Sequence, residues 1–84
     1  MSEKTSVFLV EDHAFTRDGL RTAINRDAGL QVVGEARSGE EALERLPHST
    51  AQIVVMDIGL PGMDGIEATK QIKATFPELR VVML

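Results

Sequence analysis

Val7, Phe8, Leu9 and Val10 are apolar without interruption, and so are Ile53, Val54, Val55 and Met56. A run with no polar position has no wet face, which is how a strand covered on both sides of a parallel sheet reads. Strands are expected at about 7–11, 31–36, 53–57 and 80–84, separated by segments long enough for a crossover helix, and each crossover should be right-handed. The first helix, roughly 14–27, places Leu20, Ala23 and Ile24 on one face, with Gly29 positioned to end it. The second opens on Ser38-x-x-Glu41, a capping box, buries Ala42, Leu43 and Leu46, and meets Pro47 as a stop. The third has Asp64 as cap with Glu67 three residues on. Ile66, Thr69, Ile72 and Phe76 recur at helical spacing, and Pro77 closes it.

Composition narrows the picture further. With 84 residues and 43% hydrophobic content, the chain allows one domain at the small end of the usual range and leaves no room for a second. The absence of cysteine removes disulfides and thiolate metal sites and suits a reducing cytoplasm. A net charge of -4 argues against DNA or an anionic membrane as a direct ligand of this segment. The opening MSEKTS lacks the basic-then-apolar layout of a signal peptide, and no apolar run approaches the length of a membrane span.

The chemistry sits where the apolar runs stop. Asp57 ends the third run and Glu11-Asp12 ends the first, because an isolated carboxylate is tolerable only where the strand leaves the core. If the two strands are neighbours, three carboxylates converge at one edge of the sheet, and their mutual repulsion calls for a cation. Hard oxygen ligands with room for solvent and phosphate oxygens suit Mg²⁺.

Together, Glu11-Asp12 after strand one and the D-x-x-x-P-x-x-D-G pattern of Asp57, Pro61, Asp64 and Gly65 resemble the receiver domain of bacterial two-component response regulators. Glu11 to Leu20 (EDHAFTRDGL) is further similar to the subfamily with a LuxR-type helix-turn-helix output. The resemblance spans nearly the whole chain. It implies a flavodoxin-like (CheY-like) doubly wound parallel α/β sheet with strand order 2-1-3-4, incomplete in these residues. It also implies Asp57 as phosphoacceptor, with Asp12 and Asp57 as direct Mg²⁺ ligands, Glu11 as a ligand through water, and the Gly59 carbonyl as a further one. A sensor histidine kinase is the implied donor, and a transcriptional output domain the implied effector.

The departures carry their own expectations. The family places a Ser or Thr after strand four and a Lys after strand five, both contacting the phosphoryl group. The chain reaches Leu84 without either, so residues 1–84 are expected to be the N-terminal portion of a receiver, ending after strand four. Natural truncation, proteolysis and engineering are equally open as origins. Metal binding should then survive weakly and phosphorylation be slow or absent, while strand four becomes an open edge that invites a homodimer or element-swapped self-association.

Plainer readings stand beside these. Asp57 can simply open a loop, Asp64 can be only a cap, and Pro61 and Gly62 can only fix the turn. In the family that the chain resembles, the side chain two residues after the phosphoacceptor modulates access of water to the phosphoryl group, and Gly59 would leave that access open. His13, at a helix start, reads as a solvent-facing bystander, and His48 as a loop residue. Met56, Met63 and Met83 read as packing. Two other functions compete: a truncated, unphosphorylated receiver serving as an interaction module, and a metal-dependent phosphatase of the aspartyl-phosphate kind. The second usually wants an Asp where Gly59 stands. No P-loop or G-x-S-x-G elbow supports other enzyme classes.

Overall fold

The computed structural model describes residues 4–57, 59–60 and 62–84, so Ile58, Pro61 and the first three residues lie outside the described part. Strand β1 (Thr5–Val10) leads through helix α1 (Ala14–Arg26) to β2 (Leu30–Ala36). Helix α2 (Gly39–Arg45) and a 3-10 turn (Leu46–His48) follow, then β3 (Ile53–Met56), α3 (Gly65–Thr75) and β4 (Arg80–Met83). All neighbouring strands are parallel, in the order β2-β1-β3-β4. This is the order the resemblance implies.

Register is what makes the edge useful. Val10 lies level with Met56 and with Ala36, and Met56 with Met83, so the strands finish together. The ladder runs one residue further: Glu11 N donates to the Ala36 carbonyl and Asp57 N to the Val10 carbonyl, both at 3.0 Å. Both acids are therefore tied by their backbones to the neighbouring strand, Glu11 to β2 and Asp57 to β1, while their side chains stand past the end of the apolar runs.

The main core fills one face of the sheet. Phe8, Val10, Val54 and Met56 pack there against Ala42 and Leu46 of the second crossover and Ala68 and Ile72 of α3. On the opposite face, α1 lies over β2 and β1, and Val7 and Leu9 are fully buried. Strands β3 and β4 depart from the expectation of two covered faces. Val54 and Met56 are buried, whereas Ile53 and Val55 are half-buried and Val82 is 48% exposed. Among the described residues, α1 does not reach far enough across the sheet to cover them.

Helix ends also differ from the pattern's promise. Gly29 does not terminate α1. The helix stops at Arg26, Asp27 is extended, and the Asp27 carboxylate accepts the Gly29 N–H at 2.7 Å, so a side-chain turn does the work expected of a left-handed glycine. No α1 residue is fully buried, and Ala23 is exposed. At α2, Ser38 Oγ accepts the Glu41 N–H at 3.1 Å as a capping box requires, but the Glu41 carboxylate takes the N–H of Arg37, one residue earlier than expected. Pro47 is accommodated inside the 3-10 turn after the helix has ended. Asp64 caps α3 through Glu67 N at 2.8 Å. The buried face of α3 is Gly65, Ala68 and Ile72, and Ile66, 53% exposed, lies about a third of a turn away from its centre.

One irregularity shapes the core. Val7 pairs with Val32 but Phe8 with Gly34, leaving Val33 without a partner of its own on β1. A Cβ on Gly34 would stand 2.7 Å from Cδ2 and Cε2 of Phe8. The bulge and the bare glycine together seat the aromatic ring.

Candidate functional site

Glu11, Asp12, His13 and Asp57 each present a ligand atom within 4.8 Å of the others. Glu11 is buried at 5% exposure, Asp12 and Asp57 are half-buried, and His13 is open to solvent. The parallel register of β1 and β3 produces this gathering, since residues 46 apart in sequence leave neighbouring strands at the same level.

Local hydrogen bonds hold the carboxylates in place. Glu11 Oε2 accepts the backbone N–H of His13 at 3.2 Å. Asp57 Oδ1 accepts the Gly59 N–H at 3.0 Å, which folds the loop back onto its own acid. A Cβ on Gly59 would approach that oxygen only to 3.8 Å, so the glycine leaves free space rather than relieving a clash. Asp12 Oδ1 is buried and has no hydrogen-bond partner among the described residues; His13 Nδ1 lies 3.2 Å away, without the alignment of a hydrogen bond.

His13 is the residue that sequence reasoning passed over. It is exposed, as a helix-start position should be, and it makes no side-chain cap. Its ring instead turns to the acids, with Nδ1 3.4 Å from Glu11 Oε2 and 3.2 Å from Asp12 Oδ1. The one signal available was its place directly after the acid pair. His48 lies apart, exposed in the 3-10 turn, and Met56, Met63 and Met83 pack in or against the core.

Such a set fits a hard divalent cation. Three carboxylates offer oxygen donors, and Asp12 Oδ1 is a buried acceptor with no hydrogen bond among the described residues.

The family described as the response regulator receiver domain matches residues 7–84. The chain belongs to that family. Among curated relatives, this receiver is 37% identical over 78 residues to the response regulator protein VraR of Staphylococcus saprophyticus, covering 93% of this chain and 37% of VraR. Among solved structures, a LuxR family two-component response regulator from Aurantimonas superposes with a TM-score of 0.91 at 40% identity, covering 95% of this chain and 57% of that one. RcsB of Salmonella enterica serovar Typhimurium, bound to a promoter in the presence of the phosphomimetic BeF3-, gives 0.88 at 29% identity, covering 95% of this receiver and 40% of RcsB. The receiver thus spans little more than a third of the length of the curated relatives it matches.

Proposed function

We propose that this receiver accepts a phosphoryl group on Asp57 from a sensor histidine kinase and thereby controls a transcriptional output. The observation that carries the reading is the meeting of Glu11, Asp12 and Asp57 at the carboxyl edge of a receiver fold. Asp12 and Asp57 would hold Mg²⁺ directly, Glu11 through water, and the Gly59 carbonyl would add a ligand. When bound, the ion supplies positive charge to the equatorial oxygens of the transferring group.

The chain's own residues do the rest. A carboxylate oxygen of Asp57 forms the new bond to phosphorus as the phosphorus–nitrogen bond of the donor phosphohistidine breaks, and the imidazole, already protonated on its other ring nitrogen, leaves as the neutral base. Gly59 N–H fixes the orientation of the Asp57 carboxylate, and the backbone bond of Asp57 to Val10 fixes its height above the sheet. Glu11, nearly buried, pins the start of α1 through His13 N. The transcriptional output is inferred from the LuxR family likeness, and a cytoplasmic location from the kinase partner. No described helix is long and apolar enough to cross a membrane.

The 84 residues hold no Ser or Thr after Thr75 and no Lys after Lys73, so they do not supply the two phosphoryl-contacting groups the family places after strands four and five. Loss of such electrostatic stabilisers costs orders of magnitude in rate. Intact-mass measurement after incubation with acetyl phosphate is therefore expected to show one added phosphoryl group on a version extended through the fifth strand and last helix of a receiver, with Mg²⁺ and not with a chelator, and little on the 84-residue chain. Labelling that ignores the chelator would sink the metal-assisted reading. Rapid labelling of the 84-residue chain would show that the acid cluster and ion suffice.

Self-association is proposed for the 84-residue chain on the strength of its open sheet edge, where Val82 is 48% and Leu84 58% exposed. Sedimentation equilibrium at micromolar concentration should find dimers or larger species. A monomer with a sharp two-state melt contradicts this.

A further inference from the structure

The turn that carries Glu11 and Asp12 is braced from outside the acid cluster. One helical turn beyond His13, Arg17 Nη1 donates to the Glu11 carbonyl at 2.9 Å while its Nε donates to Glu35 Oε1 at 3.2 Å. Both side chains are mostly shielded, at 15% and 24% exposure. Glu35 stands on β2 and is itself fixed. Arg21 Nη1 reaches its two oxygens at 3.0 and 2.8 Å, and Arg45 Nη1 from α2 donates to its backbone carbonyl at 2.7 Å. Arg21 also donates to Asp18 at 2.7 Å. These bonds, to Glu35 first and then to Asp18, hold the Arg21 guanidinium above its ordinary pKa and keep it committed to the network.

We propose that Arg17 is a positioning residue of the acidic site, a two-ended strut between Glu35 on β2 and the Glu11 carbonyl that sets where the Glu11 and Asp12 carboxylates stand. The inference rests on the phosphoacceptor reading above and deepens it. No nitrogen of Arg17 is spent on a carboxylate of the cluster, so its effect on the site is geometric. A guanidinium reaches both ends because Nε and Nη1 sit a fixed distance apart in a rigid planar fork, whereas the three donors of an ammonium share one atom and do not reproduce that spacing. Metal sites lose affinity steeply when the groups orienting their ligands are removed, typically by about 10- to 100-fold.

The test is a Mn²⁺ titration of the full-length protein followed by electron paramagnetic resonance. It compares Arg17→Ala, Arg17→Lys and Arg21→Ala with the unsubstituted chain. Both Arg17 substitutions should weaken Mn²⁺ binding by about tenfold. Arg21→Ala breaks the other half of the Glu35 network without touching the Glu11 carbonyl, and should stay within about twofold of the unsubstituted chain. If Arg17→Ala does not fold, Arg17→Lys decides alone. Unchanged affinity in Arg17→Lys overturns the strut, since charge alone would then suffice. Equal weakening by Arg21→Ala also overturns it, since the site would then be feeling only lost stability. A second readout needs no ion: amide exchange of His13 N–H, which Glu11 holds, should be faster in Arg17→Lys than in the unsubstituted chain. Faster exchange with no Mn²⁺ binding by the unsubstituted chain would place the failure in the metal reading and would overturn the role of Arg17 at that site. Unchanged exchange with normal binding would place the failure in the strut.

Discussion

Asp57→Asn is expected to leave the protein folded and unable to gain a phosphoryl group from acetyl phosphate and Mg²⁺. An amide is not a nucleophile toward phosphorus at neutral pH, so the loss should be by orders of magnitude and not a slowing. The fold should tolerate the change. The Asn side-chain oxygen can still accept the Gly59 N–H, and the backbone bond to Val10 does not involve the side chain. Removing one negative charge from a group that packs Glu11, Asp12 and Asp57 together relieves repulsion, so thermal stability without divalent cation should be unchanged or slightly higher. The rise in melting temperature on adding Mg²⁺ should shrink at the same time, because ligand stabilisation scales with affinity for the folded state. Intact-mass analysis beside two thermal melts, with and without Mg²⁺, checks all three outcomes. A labelled Asp57→Asn protein would remove Asp57 from the reaction.

The second large effect lies in the core. Phe8→Ala is expected to cost about 3–5 kcal/mol, the range for truncating a buried aromatic, against a total of about 5–15 kcal/mol for a domain. Phe8 is 2% exposed and belongs to the central cluster. Gly34→Ala should cost about 1–3 kcal/mol by overpacking, because its Cβ would stand 2.7 Å from two carbons of the buried Phe8 ring. The two positions meet, so their costs should not add. In the Phe8→Ala background the new methyl enters the space the ring vacated, and Gly34→Ala should become nearly neutral there. Urea denaturation of the four proteins in the full-length background measures the coupling. Additive costs would mean that Gly34 serves the β2 bulge alone and not the ring.

Continuous apolar runs made β1 and β3 legible, and the spacing between strands required crossovers. The meeting of Glu11-Asp12 with Asp57 was legible only conditionally. It needs β1 and β3 to be neighbours, which the spacing leaves open and the likeness to a receiver supplies. What escaped was set by three-dimensional context. Ile53 and Val55 are as apolar as Val54 and Met56, yet one face of β3 is half open because coverage depends on where α1 comes to rest. Gly29 is the stronger terminator by residue type, but Asp27 reaches the chain first with its carboxylate. The bulge at Val33 leaves no trace in alternation, since Val32 and Val33 are alike. His13 could be placed at a helix start, but the swing of its ring toward two carboxylates is a rotamer choice. Arg17 and Glu35 are 18 residues apart, on a helix and a strand, and no local spacing marks such a pair.

The central claim is that the phosphoryl group goes to Asp57 and to no other acid of the cluster. Borohydride trapping tests it most directly, because reduction of an acyl phosphate converts the modified aspartate to homoserine and peptide sequencing by mass spectrometry then reads its position. After labelling of the full-length protein with acetyl phosphate and Mg²⁺, homoserine is expected at position 57 alone. Homoserine at Asp12, or a phosphoryl group carried on His13, would contradict the account.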